Sequence, residues 1–212
     1  MHRPNIRKHR GFTIIEFMIV VAMLSLLAVI AIPNFLKRQT LSKQAEAKAN
    51  LKTWFSAQRA YHEEYGRYSE SVHEVGFLPE RGNRYAYYFA NAITCITRQA
   101  SGVIDPPNAN CITVDVAEFP GALRPDPVEP TGITYAGEGA NPGMPGLNGC
   151  TGSGCNISGL ATGNIDNESM SNDTWWISTK DATTIHAYCG NSETQSVAGE
   201  PYLSYDDEIC DF

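Results

Sequence analysis

The chain has 212 residues, room for one ordinary domain plus an extended element. Its 23 acidic residues outweigh 16 lysines and arginines for a formal charge of −7. Such a balance argues against a general grip on nucleic acid, which rests on neutralising phosphates with Lys and Arg.

The first ten residues carry Arg3, Arg7, Lys8 and Arg10 and no acid. Basic residues ahead of an apolar run stay cytoplasmic, so the rest of the chain is expected to face outward. Removal of residues 1–11 would leave 12 basic residues against 23 acids, a charge of −11. Residues 11–35 read GFTIIEFMIVVAMLSLLAVIAIPNF and hold a single charge, Glu16. The run is long enough to cross a bilayer core of about 30 Å. A carboxylate at that depth costs about 2.5–3.5 kcal/mol, so a chain that keeps one is expected to use it. From Phe17 to Ile32 every residue but Ser25 is apolar, so this part must be buried in lipid or among other helices. A secretory signal places its cleavage site after the apolar stretch, whereas here the polar junction precedes it. Pro33 is predicted to kink the helix.

After Phe35 charges alternate with apolar positions, and Leu51, Trp54, Phe55, Tyr61 and Tyr65 follow helical spacing. Residues 12–65 are predicted as one helix, about 80 Å long at 1.5 Å per residue. Its second half is amphipathic and projects beyond the membrane, with the aromatic face packed on the downstream domain. Gly66 is the predicted stop.

Beyond Gly66 the composition turns to Gly, Pro, Asn and Ser. Residues 84–90 (RYAYYFA), 111–116 (CITVDV), 174–179 (TWWIST) and 185–189 (IHAYC) are strand candidates by aromatic and β-branched content. Residues 119–130 and 137–164 read as long irregular loops, a length often found at contact surfaces. The predicted fold class is α+β: a long N-terminal helix, apolar stem plus amphipathic half, on a small antiparallel sheet with disulfide-bonded loops. The divisions are 1–11 (basic leader), 12–35 (apolar helix), 36–65 (amphipathic half-helix) and 66–212 (sheet domain).

Six cysteines, Cys95, Cys111, Cys150, Cys155, Cys189 and Cys210, all lie beyond the helix. An even count in the outward-facing part reads as a disulfide set in an oxidising compartment. Of the 15 pairings that six cysteines allow, the sequential one closes three local loops and is preferred: Cys95–Cys111, Cys150–Cys155 and Cys189–Cys210. A zinc site is the weaker rival, with no CxxC pair and only His62, His73 and His186 outside the tail.

The basic leader ending in glycine, the junction GFTIIE, the apolar run to IAIPNF, the amphipathic extension and the cysteine-bearing domain together resemble the type IV pilin family. The stretches NLKTWFSAQRAYHEEYGRYSESVHEVGFLPERGNRYAY and IDNESMSNDTWW are similar to type IVa major pilins of delta-proteobacterial gliding bacteria. The resemblance implies cleavage after Gly11 by a membrane prepilin peptidase, N-methylation of Phe12 as the new N-terminus, and pairing of Glu16 with the Phe12 amine of a neighbouring subunit. Pro33 would sit where family helices bend or partly unwind in the filament. Ile15 and Phe17 stand where leucine is usual, and both stay apolar.

Elementary electrostatics agrees with this. A new α-amine, with a reference pKa of about 7.7–8.0, is largely protonated near neutral pH and neutralises a carboxylate that would be costly unpaired. Such a head-to-tail contact does not close into a ring and generates a helical filament. The expectation is a pilus subunit, single-pass in the inner membrane and then in a cell-surface fimbrium. Its partners would be its own copies, the peptidase and the assembly platform with its secretin machinery, and its uses adhesion, surface motility and DNA uptake. The alternatives are a minor pilin or secretion pseudopilin, separable by copy number, and a membrane-anchored periplasmic binding domain on a borrowed stem.

No HExxH, phosphate-loop or GxSxG motif is present, so no enzyme, catalytic residue, cofactor or metal is expected. His62 and His73 read as surface or half-buried residues. Asp166, Glu168 and Asp173 lack the EF-hand pattern and read as a solvated acidic turn rather than a calcium site; Asp206, Asp207, Glu208 and Asp211 read likewise. Sequons at Asn156, Asn167 and Asn172 carry little weight, being common by chance in an Asn/Ser-rich region.

Overall fold

The computed structural model describes residues 11–120, 124–127, 132–136, 140–141, 145–148, 155–165, 172–185 and 189–210. The chain divides into two units, one ending at Gln39 and the other beginning at Thr40. Helix α1 (Ile14–Tyr65) runs through both and is helical without a break at Pro33. It ends as expected: Gly66 takes φ 69°, a left-handed conformation open to glycine, and its N–H reaches the His62 carbonyl at 2.8 Å. A single turn, α2 (Val72–Val75), follows, with Ser71 as its N-cap.

The strands are β1 (Ala86–Tyr88), β2 (Cys95–Gln99), β3 (Gly102–Ile104), β4 (Cys111–Asp115), β5 (Ile133–Tyr135), β6 (Ala140–Asn141), β7 (Gly146–Asn148), β8 (Asn156–Gly163), β9 (Asp173–Ser178), β10 (Ala182–Thr183), β11 (Gln195–Ser196) and β12 (Tyr202–Tyr205). A one-turn helix, α3 (Asp207–Cys210), comes last. The larger sheet has the order β12-β9-β8-β1-β4-β2-β3, with β7 also paired to β8; the smaller has the order β11-β10-β5-β6.

Three of the four strand candidates form as β1, β4 and β9, where aromatic and β-branched residues concentrate. The fourth does not: Ile185 is a bend 71% exposed, Cys189 is in a turn, and 186–188 lie outside the described residues. The α+β class forms as expected, a long helix with an antiparallel-rich sheet, and the strand pairing adds detail. There are two sheets, and β2 pairs with β4 in parallel, Cys95 opposite Cys111. The stretch read as a loop at 137–164 contains β8, which pairs with β1, β7 and β9 and is buried along its whole length.

Alternation along the strands explains the layering. Tyr87, Ile112, Ile157, Ala161, Trp175 and Ile177 point to one face of the large sheet and join Ala47, Leu51, Trp54 and Tyr61 of α1 in one core. Ala86, Tyr88, Leu160, Trp176 and Tyr202 point to the other and meet Ile133, Tyr135 and Ala182 of the small sheet. The second unit is therefore a half-helix, a large sheet and a small sheet in three layers. A sheet covered on both faces needs apolar residues at successive positions rather than alternate ones, which is why β1 and its flanks, Tyr85 to Phe89, are buried at every position.

Gly159 of β8 sets the helix–sheet spacing. A Cβ there would lie 2.9 Å from the Phe89 ring and 3.1 Å from Trp54. Those two rings stack over it at 4.7 Å with an interplanar angle of 12°, an arrangement worth about 0.5–1.5 kcal/mol beyond burial. The link from helix to sheet is pinned by charge. Arg98, buried in β2, donates to the carbonyls of Pro79 and Glu80 and to Asn83 Oδ1 at 2.6–2.7 Å. Arg81 grips the buried Asp115 through Nε at 2.6 Å and Nη2 at 3.1 Å.

Candidate assembly site

The head of α1 is a reciprocal cap. Thr13 donates its backbone N–H and hydroxyl to Glu16 Oε2 at 2.8 and 2.6 Å, and Glu16 N donates back to Thr13 Oγ1 at 3.3 Å. This is a capping box, which ties down two of the four N–H groups left over at a helix start. The spacing T-I-I-E signals it in the sequence, and Thr13 is the site residue that attention to the lone charge passes over. Gly11 has open space around it, and Phe12 is 74% exposed.

From Phe12 to Phe35 the large apolar side chains are exposed by 43% (Val21) to 81% (Ile14). Burying each would yield about 1.5–3 kcal/mol, on the order of tens of kcal/mol in sum. Such a surface cannot stay in water. The polar groups within it are self-satisfied: Ser25 Oγ donates to the Val21 carbonyl at 2.8 Å, and Asn34 Nδ2 to that of Ile30 at 2.9 Å. The Ile30 carbonyl adjoins that of Val29, which loses its helical donor because Pro33 has no N–H.

The amphipathic half docks on its own sheet through polar as well as aromatic groups. Lys43 Nζ donates to the Ile165 carbonyl, Gln44 to Asp173, and Asn50 Nδ2 to Tyr87 Oη at 2.7 Å; Glu46 accepts from Arg84 N at 2.9 Å. Burial pushes the Glu46 carboxyl above its ordinary range, against the hydrogen bond from Arg84 N. Trp54 and Tyr61 are buried and Phe55 is half-buried, as the spacing predicts, but Tyr65 is 58% exposed and leans on the Tyr61 ring. It sits in the last turn, past the edge of the sheet-facing stripe.

Disulfides join Cys95 to Cys111, across the parallel pair β2–β4, and Cys189 to Cys210, tying α3 back to the preceding turn. Cys155 is also disulfide-bonded; Cys150 lies outside the described residues. The acidic turn is corrected where it can be seen. Asp173 is fully buried and hydrogen-bonded, and Asp206 and Asp207 are buried, not solvated. Asp166, Glu168 and Asp211, the tail arginines and Lys8, His186 and Asn167 lie outside the described residues. Among the described residues no three acids, histidines or cysteines gather as a metal group. His62 stacks on Tyr68, and His73 pairs with Asp105 at the surface. Asn156 is buried within β8, where a glycan has no room.

An exposed apolar helix with a capped carboxylate at its head, on a disulfide-bonded sheet domain, describes a subunit that must be covered by lipid or by its own kind. A family model for the prokaryotic N-terminal methylation motif matches residues 6–32, and one for type IV pilin PilA matches residues 38–172. The chain is also 40% identical to the type IV major pilin protein PilA of Myxococcus xanthus (strain DK1622), over 96% of this chain and 94% of that one. The chain belongs to the type IV pilin PilA family and is a structural subunit of a type IV pilus.

Proposed function

We propose that this chain is the major subunit of its pilus, and that Glu16 is the assembly charge. In this reading a prepilin peptidase cuts after Gly11, Phe12 becomes the methylated N-terminus, and its amine neutralises Glu16 of a neighbouring copy. The leader 1–11 is lost, residues 12–35 anchor in the inner membrane and then line the filament core, 36–65 carry the domain, and 66–212 face water. Pro33 marks where the stem yields during packing, and Cys150 closes the third disulfide with Cys155. The filament serves adhesion and surface motility, with DNA uptake as a further use, and the chain performs no catalysis.

The observation that carries this reading is the Glu16 carboxylate, capped by Thr13, at the head of a stem whose large apolar side chains are exposed. Exchange of an internal cap for an intermolecular ion pair gives the charge a reason to be there. Kinship with a major pilin over nearly the full length supports the rank of major subunit. Glu16→Ala should leave the protein in the membrane and abolish surface filaments, and sheared filaments of the wild type should consist mainly of a chain whose intact mass starts at methylated Phe12. Normal filament yield from Glu16→Ala, or an untrimmed N-terminus in filaments, overturns the proposal.

A further inference from the structure

The polar seam between α1 and the sheet holds an acid that assembly does not use. Asp173 opens β9 and is 0% exposed. Among the described residues its carboxylate is bonded by three donors, all neutral: Gln44 Nε2 from α1 at 3.1 Å, Tyr85 Oη at 2.6 Å and Trp175 Nε1 at 2.6 Å. The charged neighbours lie to the sides. From α1, Lys43 donates to the Ile165 carbonyl, Lys48 Nζ sits 4.2 Å over the Trp175 ring, and Glu46 accepts from Arg84 N. The Arg84 guanidinium lies over Phe119 at 4.1 Å. The C-terminal segment brings Asp206, whose charge acts on Asp173, and Asp207, which accepts from Ile165 N. Tyr85 feels Asp173 and Glu46 together, and Tyr87 feels Glu46.

We propose that Asp173 is a proton-operated catch in this seam, taking up a proton on acidification so that the half-helix closes more firmly on the sheet. Ionised, it is an anion under the helix with neutral partners and a like charge nearby, the costly arrangement for a buried group. Protonated, it keeps its geometry: Oδ1–H donates to Gln44 Oε1 after a half-turn of the amide, while Oδ2 still accepts from Tyr85 and Trp175. Only the charge leaves. Burial pushes the Asp173 carboxyl up to about 6, against the downward pull of Tyr85 and Trp175. The folded value lies above the unfolded one, so the folded chain holds the proton more tightly. Stability is then greatest on the acid side, declines as pH rises from about 4 to about 6, and is level above that.

The test uses the full-length chain in detergent micelles at fixed ionic strength, with urea midpoints from pH 4.5 to 7.5. Amide exchange at Gln44–Leu51 is followed in parallel, corrected for its intrinsic pH dependence. The wild-type midpoint should fall toward pH 6, with opening roughly tenfold to a hundredfold more frequent at pH 7 than at pH 4.5. Asp173→Asn should remove Asp173's share of the decline and leave only the shallower part that Glu46 contributes. Tyr85→Phe removes one donor to the anion and should move the step to higher pH, whereas a merely structural loss would lower the midpoint evenly. A level wild-type profile, a wild-type step retained in Asp173→Asn, or an unmoved step in Tyr85→Phe each overturns the proposal.

Discussion

Thr13 and Glu16 satisfy one another in the unassembled chain, which gives two small residues at a helix head an energetic role separate from any partner. An N-cap of this kind is worth about 0.5–2 kcal/mol. Thr13→Ala should fray the first turn of α1, raising amide exchange at Glu16 and Phe17 in micelles, and Thr13→Ser should restore protection. Glu16 would then be less firmly held as an acceptor at the helix head. The lone charge in the apolar run was legible from the sequence. Its partner was equally present in T-I-I-E, but a capping box says nothing of a polymer, so only the geometry joins the two.

At the scale of elements, the helix and sheet meet over a residue with no side chain. Gly159→Val would place branched carbon where a single Cβ already falls 2.9 Å from Phe89 and 3.1 Å from Trp54. The expected cost is about 1–3 kcal/mol from overpacking, read as a lower urea midpoint. Trp54→Ala, which instead empties the site, should cost about 3–5 kcal/mol. The same glycine shows why part of the fold was hidden. Strand β8, NISGLATG, has weak intrinsic preference for a strand and forms because β1 and β9 flank it on both sides. Strands of two residues, such as β10 and β11, carry no period at all. By contrast α1 was legible because its pattern persists over 52 residues, and β1, β4 and β9 because their residues prefer a pleated surface. Asp173 looked like a solvated turn because a buried acid has no sequence signature; its donors come from positions 44, 85 and 175.

For the whole molecule the buried acids pull stability in opposite directions. Asp173 and Glu46 have folded values raised by burial, so what they withhold at neutral pH is returned on acidification. Asp115, held low by its hydrogen bonds from Arg81, and Glu74, held low by the Ser69 hydroxyl, act the other way. Their contributions are full above the unfolded values and are lost as pH falls through the lowered folded ones. Stability of the full chain should therefore peak at about pH 4, where the lowered acids already contribute and the raised ones have not yet lost their protons, and a melting series across pH 2–8 checks it. Asp115→Asn should lower stability on the neutral limb without changing its slope there, and weaken the decline on the acid limb. The seam has a mechanical side too. Lys43, Gln44, Glu46 and Asn50 fasten successive turns of α1 to residues on separate parts of the sheet domain. A tug along the helix axis is thus shared among many fasteners in shear, not opened one after another like a zip, so the tethered domain withstands strain that would peel away a helix held at one end.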